Sequence, residues 1–286
     1  MDTIRLTCEV GKKIMTVSVW LLLFALFAPI LHWLAHVWTT SMYDAQGCLV
    51  PCLVSVMLWW RRREILSVPR QPTTTGLWLT AGCVFIFLLA QLVDLKLLGG
   101  VALVGTIAGV IWSLWGLSRL RAVLFPVGLL LLMLPVNYPL EIFAGFPLRV
   151  IAAKLTWGIL KTLGLDVSVQ GTMITTPHFQ VAIESPCSGL KTLSALFLVS
   201  LVLSFFLHRR LRDRMVILGI TPFVAVFANA IRNAVITLIG HYYGREYAVG
   251  FLHMFSGLVV FLLAVGLLIV VSELLLWHRK CAYPAF

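Results

Sequence analysis

The chain has 286 residues, 60% of them hydrophobic and only 12% charged, with a mean hydropathy of +1.00. Soluble domains carry about 25% charged residues, so half that charge cannot cover a water-exposed surface of this size and a soluble fold is excluded. The net charge of +11, from 22 Lys+Arg against 11 Asp+Glu, would point to nucleic acid in a soluble protein; here the charges must first be placed relative to a bilayer.

A bilayer core of about 30 Å takes roughly 20 apolar residues in helical form. Eight spans are predicted, at residues 14–38, 47–60, 76–93, 98–118, 122–138, 187–207, 215–240 and 251–277. The first is too long for the roughly 7–15-residue apolar stretch of a signal peptide and ends in no small-x-small site. It carries His32, Trp33, His36 and Trp38, an interfacial signature, and is expected to stay in the mature protein.

Fifteen of the basic residues fall in one set of loops: Arg5, Lys12 and Lys13; Arg61, Arg62, Arg63 and Arg70; Arg119 and Arg121; Arg209, Arg210, Arg212 and Arg214; Arg279 and Lys280. The opposite set holds five: Lys96, Arg149, Lys154, Lys161 and Arg245. Positive loops stay cytoplasmic, so both termini are expected inside. Most of the excess charge is then topological, and nucleic acid is not an expected partner. Lys191 and Arg232 alone fall inside spans.

Between the fifth and sixth spans the texture changes. Residues 141–163 are apolar but carry Arg149, Lys154 and Lys161, which suggests an amphipathic helix in the outer interface. Residues 164–185 alternate, with Val167, Val169, Met173, Ile174, Val181 and Ile183 among polar neighbours and a turn near Thr176–His178; this is the period of a small β-hairpin. The expected fold is therefore an all-α polytopic membrane protein with this insertion on its outer face. Its parts are a five-span region at 1–138, the interfacial helix and hairpin at 139–186, and a three-span region at 187–286.

The six cysteines form no metal-site pattern, and no Walker, dinucleotide or zinc-protease motif is present. No metal or cofactor is expected. Cys48 and Cys52 share a helix face in apolar sequence and are expected as small buried hydrophobes.

Polar groups inside spans are costly and point to function, and nearly all of them lie in the last three spans. The sixth opens with Glu184-Ser185-Pro186-Cys187-Ser188-Gly189-Leu190-Lys191. Ser185 suits an N-cap and Pro186 the first helical position. Cys187 would then sit in the first turn, where free N–H groups and the helix dipole favour a thiolate, with Lys191 at i+4 lowering the thiol pKa further. In the seventh span Asn229, Arg232, Asn233 and Thr237 share a helix face; Arg232 there needs an anion, a polar cleft or bonds to backbone carbonyls. The eighth starts with His253-Met254-Phe255-Ser256-Gly257. Cys187, Arg232 and His253 come from three helices, yet the topology brings all three to the outer face, and nucleophile, base and oxyanion stabiliser are what acyl transfer requires. Gly189, Ala228, Ala230 and Gly257 would let these helices approach closely.

With these motifs the chain resembles the exosortase/archaeosortase family of membrane transpeptidases, in Cys187-Ser188-Gly189, Asn229-Ala230-Ile231-Arg232 and His253-Met254-Phe255-Ser256-Gly257. The resemblance is specific over residues 138–277; the first five spans match in number and character. It implies cleavage of a C-terminal sorting signal on exported proteins: a short motif such as Pro-Glu-Pro, a membrane helix and a basic tail. Cys187 would form a thioester, Arg232 would stabilise the oxyanion or anchor an acidic substrate group, and His253 would move the proton. Asn229, Asn233, Ser188 and Lys191 are expected around them. The product would pass to an envelope lipid or polysaccharide acceptor, with the enzyme in the cytoplasmic membrane and its site facing outward. A secondary transporter with a polar site at Arg232 and a non-catalytic assembly protein are the alternatives. The first would more often show internal repeats; the second leaves the three polar motifs without a purpose.

Overall fold

A computed structural model describes residues 14, 16–41, 44–183, 189–207, 211–249 and 251–282. The chain forms two compact units, Met1–Val136 and Asn137–Phe286.

In the first unit α1 (Thr16–Leu26) and α2 (Ala28–Thr40) meet at a 61° bend. The break follows from Pro29, which occupies the first turn of α2 and has no N–H to continue the helix before it. Trp38, near the end of α2, donates its indole N–H to the Met133 carbonyl at 2.9 Å. Helix α3 (Leu49–Trp60) is followed by the short α4 (Arg62–Ser67), and α5 (Thr75–Leu92) pairs with α6 (Lys96–Trp115). Small residues set that antiparallel contact: a Cβ on Gly109 would lie 2.8 Å from the Thr80 nitrogen, and one on Gly105 2.6 Å from the Cys83 sulfur. Helix α7 (Leu117–Leu129) contains Pro126 and passes into a 3-10 turn at Leu130–Met133.

The second unit opens with α8 (Asn137–Thr162), followed by β1 (Ser168–Gln170), β2 (Met173–Thr175) and β3 (Gln180–Ala182). The strands form one antiparallel sheet in order β1-β2-β3, with Val169 opposite Ile174 and Ile174 opposite Val181. Gly171 at φ +60 makes the two-residue turn between β1 and β2, where a left-handed first residue matches the strand twist. Thr176 closes the second turn, its N–H donating to the Phe179 carbonyl at 2.8 Å. The sheet's buried face packs on α8 and α10 through Ala152, Ala153, Leu160, Val167, Ile174, Ile183 and Ala234. Helices α9 (Leu190–Leu207), α10 (Leu211–Tyr243), the short α11 (Arg245–Val249) and α12 (Phe251–Ala282) complete the unit. The first, second and last of these pack around Leu196, Ala225, Ala228, Ala264 and Leu268.

The fold is thus a multi-span α-helical membrane protein with a small sheet, but its spans differ in detail from those expected. Among the described residues six helices are long and apolar enough to cross a bilayer, and the bent α1–α2 pair makes a seventh. Two predicted spans are short: the one at 47–60 is the 16-residue helical stretch Ala45–Trp60, and the one at 122–138 is interrupted where α7, having run through Pro126, passes into the 3-10 turn at Leu130–Met133. Conversely, the helix expected to lie in the interface is long and apolar enough to cross, over Pro139–Thr162. One of the cations that suggested otherwise, Arg149, has Glu141 on the same helix 3.9 Å away. The insertion is a three-stranded sheet, not a hairpin. Cys48 and Cys52 are exposed, not buried; in a membrane chain the outward face is itself apolar, so a small hydrophobe gains little by facing inward.

Candidate active site

Helix α10 supplies the polar stripe read from its spacing. Asn229 is 1% exposed, Asn233 6% and Thr237 0%, while Arg232 is half-buried. The Thr237 hydroxyl donates to the Asn233 carbonyl at 2.8 Å, so it is satisfied within its own helix. Buried amides and a guanidinium on an apolar helix are not there for packing, because each must find polar partners or be desolvated at a cost of about 1–3 kcal/mol.

The start of α9 lies against this stripe. Gly189 has φ +87, a conformation that strains any residue with a Cβ. Its carbonyl accepts the first helical bond, from the Leu193 N–H at 2.8 Å, so Gly189 is the residue that opens α9. A Cβ at Gly189 would stand 3.0 Å from the Asn229 Nδ2 and 3.1 Å from its Cγ. The helix start expected from sequence, at Ser185 and Pro186, lies outside the described residues. Positive φ at Gly189 interrupts the helical backbone at that residue, and α9 runs from Leu190. Lys191 is exposed in the first turn. Glu184, Ser185, Pro186, Cys187 and Ser188 lie outside the described residues.

Helix α12 approaches from another side. A Cβ at Gly257 would lie 3.3 Å from the Cζ and Nη2 of Arg232 and 3.4 Å from its Nε; the absence of a side chain at 257 is what lets the guanidinium lie flat against α12. His253 is on the same helix four residues earlier, one turn away on the same face; its side chain is outside the described residues. Gly189, Asn229, Arg232 and Gly257 therefore bring the beginnings of α9 and α12 together at one stretch of α10.

Three further contacts were not anticipated. Asn233 and Thr237 line a small cleft of about 20 Å³ with Ile174, Val181 and Ile183, and the buried Asn233 Nδ2 has no hydrogen-bond partner among the described residues. The cleft ends at Ile183, the residue before the segment that contains Cys187. Thr156 of α8 donates to the Ala230 carbonyl at 3.3 Å, between Asn229 and Arg232. At the end of α10, the Thr176 hydroxyl donates to the Phe179 carbonyl at 2.9 Å and so accepts from His241 Nδ1, 3.2 Å away. The Phe179 ring beside it lies on Gly240. Isolated Thr and His residues on helix and turn gave no periodic signal, and only the fold pairs them. Among the described residues no group of three or more His, Cys, Asp or Glu could hold a metal ion.

No curated protein and no solved structure is detectably similar to the chain. The sequence pattern of the transmembrane exosortase family matches residues 38–270, most of its length. That span takes in the Cys187, Arg232 and His253 motifs and the helices that carry them. The chain belongs to the transmembrane exosortase family, multi-pass membrane proteins of the transpeptidase or protease type that act on exported proteins.

Proposed function

We propose that the protein is a membrane cysteine transpeptidase with Cys187 as nucleophile, Arg232 as oxyanion stabiliser and His253 as acid and base, cleaving exported proteins at a C-terminal sorting signal of motif, membrane helix and basic tail. The observation that carries this reading is the position of the two motif glycines: Gly189 against Asn229, and Gly257 against the Arg232 guanidinium. Cys187 precedes the first by two residues, a chain reach of at most about 7 Å. His253 precedes the second by one helical turn. Each is thereby tied to the same stretch of α10.

The chemistry follows from those roles. The Cys187 thiolate attacks the scissile carbonyl, and the C=O electrons move onto oxygen, where the planar Arg232 fork offers two donors. Collapse of this intermediate breaks the C–N bond. The imidazolium of His253 gives its proton to the departing amine, leaving a thioester and a neutral imidazole. That imidazole then takes a proton from an acceptor amine, hydroxyl or water, which attacks the thioester and releases the thiolate. Asn229 of α10, packed against Gly189, positions the segment before α9. Asn233 offers a buried amide donor beside Ile183, and Ser188 and Lys191 flank the nucleophile. The positive loops support a cytoplasmic-membrane enzyme whose site opens outward, with a lipid or polysaccharide group of the envelope as acceptor.

The test is Cys187→Ala, expressed at wild-type abundance with a tagged substrate that ends in such a signal. Accumulation of the full-length precursor is expected. Normal maturation in that strain would remove Cys187 from the chemistry and with it the proposal.

A further inference from the structure

The first unit contains a groove of about 340 Å³, well away in sequence from the residues discussed above, lined by the end of α3, by α4 and by the α6–α7 junction. Its walls are apolar, formed by Leu58, Leu66, Ile111, Trp115 and Val123, and its polar groups are three arginines, Arg62, Arg70 and Arg119. The two segments that build it, residues 58–70 and 111–123, hold six arginines and a single carboxylate, Glu64. Glu64 is not available to neutralise the groove, since it lies 3.8 Å from Arg61.

The groove is held open by its own backbone. The strand-like link after α4 is pinned to the end of α6, with Gln71 N–H donating to the Trp115 carbonyl and Thr73 N–H to the Ser113 carbonyl, both at 3.3 Å. Gly116 at φ +91 allows the turn into α7, and Gln71 packs directly on it. Arg119 is 8% exposed and donates to the Val68 and Leu66 carbonyls at 2.8 and 3.2 Å. Burial, and after it the nearby charge of Arg70, disfavours the Arg119 cation. Arg62 lies over the Trp59 ring at 4.0 Å and is exposed. Trp115 stacks on Trp20 with centroids 6.4 Å apart, and Trp59 and Trp60 are 50% and 73% exposed. Trp59, Trp60 and Trp115 stand at the ends of α3 and α6, and tryptophans at helix ends mark the headgroup layer.

Crowded cations without a carboxylate, above an apolar trough at headgroup depth, call for a ligand that is anionic at one end and hydrocarbon at the other. We propose that this groove is a binding site for an anionic phospholipid, its phosphate held by Arg62 and Arg70 over the buried Arg119 and one acyl chain lying along Leu58, Ile111 and Val123. Basic pockets between membrane helices bind anionic headgroups in this way, and 340 Å³ falls within the range of ligand sites, about 300–1,000 Å³.

The experiment uses the full-length protein in a non-ionic detergent, titrated with a phosphatidylglycerol carrying a fluorescent tail, with phosphatidylcholine and inorganic phosphate as comparisons. Phosphatidylglycerol should bind at least tenfold more tightly than phosphatidylcholine, and millimolar phosphate should not displace it. Each interfacial arginine is worth about fivefold in affinity for an anionic lipid, so Arg62→Gln with Arg70→Gln should weaken binding about 25-fold. These two are chosen because both are exposed; Arg62 bonds the nearby Trp59 carbonyl of its own helical stretch, at 2.9 Å, whereas the buried Arg119 ties α7 to the Leu66 and Val68 carbonyls. Leu66→Trp, which fills the groove without touching its charge, should also weaken binding at least tenfold. Equal binding of phosphatidylcholine, displacement by phosphate, or undiminished binding in Leu66→Trp would each overturn the proposal: the first removes the charge reading, the second the lipid, and the third the groove.

Discussion

Substitution at Gly257 separates the position of Arg232 from the stability of the helix that faces it. Gly257 lies inside α12, so adding a methyl group should favour the helix by about 0.5–1 kcal/mol. The same methyl would sit 3.3 Å from the guanidinium carbon, a few tenths of an ångström inside the optimal contact of about 3.5–4.0 Å. Gly257→Ala is therefore expected to be at least as stable as the wild type and to lose no more than about threefold in processing rate. Gly257→Val is different. Its γ-carbons project about 1.5 Å beyond that Cβ and are confined to one preferred rotamer in a helix, so the guanidinium must move by more than about 1 Å. A misplacement of that size costs about 10²-fold, or about 2.7 kcal/mol in the barrier. The assay follows conversion of a tagged precursor to its mature form, with enzyme abundance and thermal midpoint measured in detergent for each variant. Wild-type conversion by Gly257→Val at normal abundance would refute the reasoning, because it would mean that the guanidinium's place against α12 is irrelevant to turnover.

Other perturbations have equally direct consequences. Arg232→Lys keeps the charge but not the planar two-donor fork, and should slow processing by about 10²–10³-fold; near-normal turnover would leave Arg232 a purely electrostatic or structural part. Gly189→Ala puts a side chain at φ +87 and crowds Asn229, and should lower stability by about 1–2 kcal/mol, read as a fall in thermal midpoint. Adding Asn229→Ala should recover part of that loss and not all, since it relieves the contact but not the backbone strain. Ile174→Ala removes a side chain that is 0% exposed between the sheet and α8, and should cost about 2–5 kcal/mol in a denaturation series.

Much of this fold was legible because lipid imposes simple rules: a backbone with no water to bond must form helices, and runs of about 20 apolar residues declare them. The differences arose where one local feature competed with length. Residues 141–163 read as interfacial because three cations were counted one by one, while the Glu141–Arg149 pairing within α8, eight residues apart, offsets one of them. The divided helix at 122–138 and the bend before Ala28 both had their signal in plain sight, in Pro126 and Pro29, but a proline inside an apolar run does not say whether a helix kinks or stops. The third strand was hidden because Gly171 and Thr172 interrupt the alternation for only two residues, less than the window in which a period can be recognised.

The site was legible in a different manner, through residues that serve no purpose in a membrane helix. Asn229, Arg232 and Asn233 are costly where they stand, and that cost is visible in the sequence. The two glycines are cheap, and composition alone gives them only a generic meaning as places of close helix approach. In the structure each glycine meets a specific polar side chain of α10: an amide at Gly189 and a guanidinium at Gly257. The distinction matters for where the nucleophile is expected. Because φ at Gly189 is positive, α9 presents its first free N–H groups toward the preceding chain, which is the end of a helix that favours an anion. A thiolate approaching that end would gain electrostatic help from the helix dipole. Gly189 packs on the Asn229 amide while Lys191 is exposed, so Lys191→Ala should leave processing within about threefold of wild type, whereas Asn229→Ala should reduce it by at least tenfold. The reverse order in the same conversion assay would discard this account of the glycine.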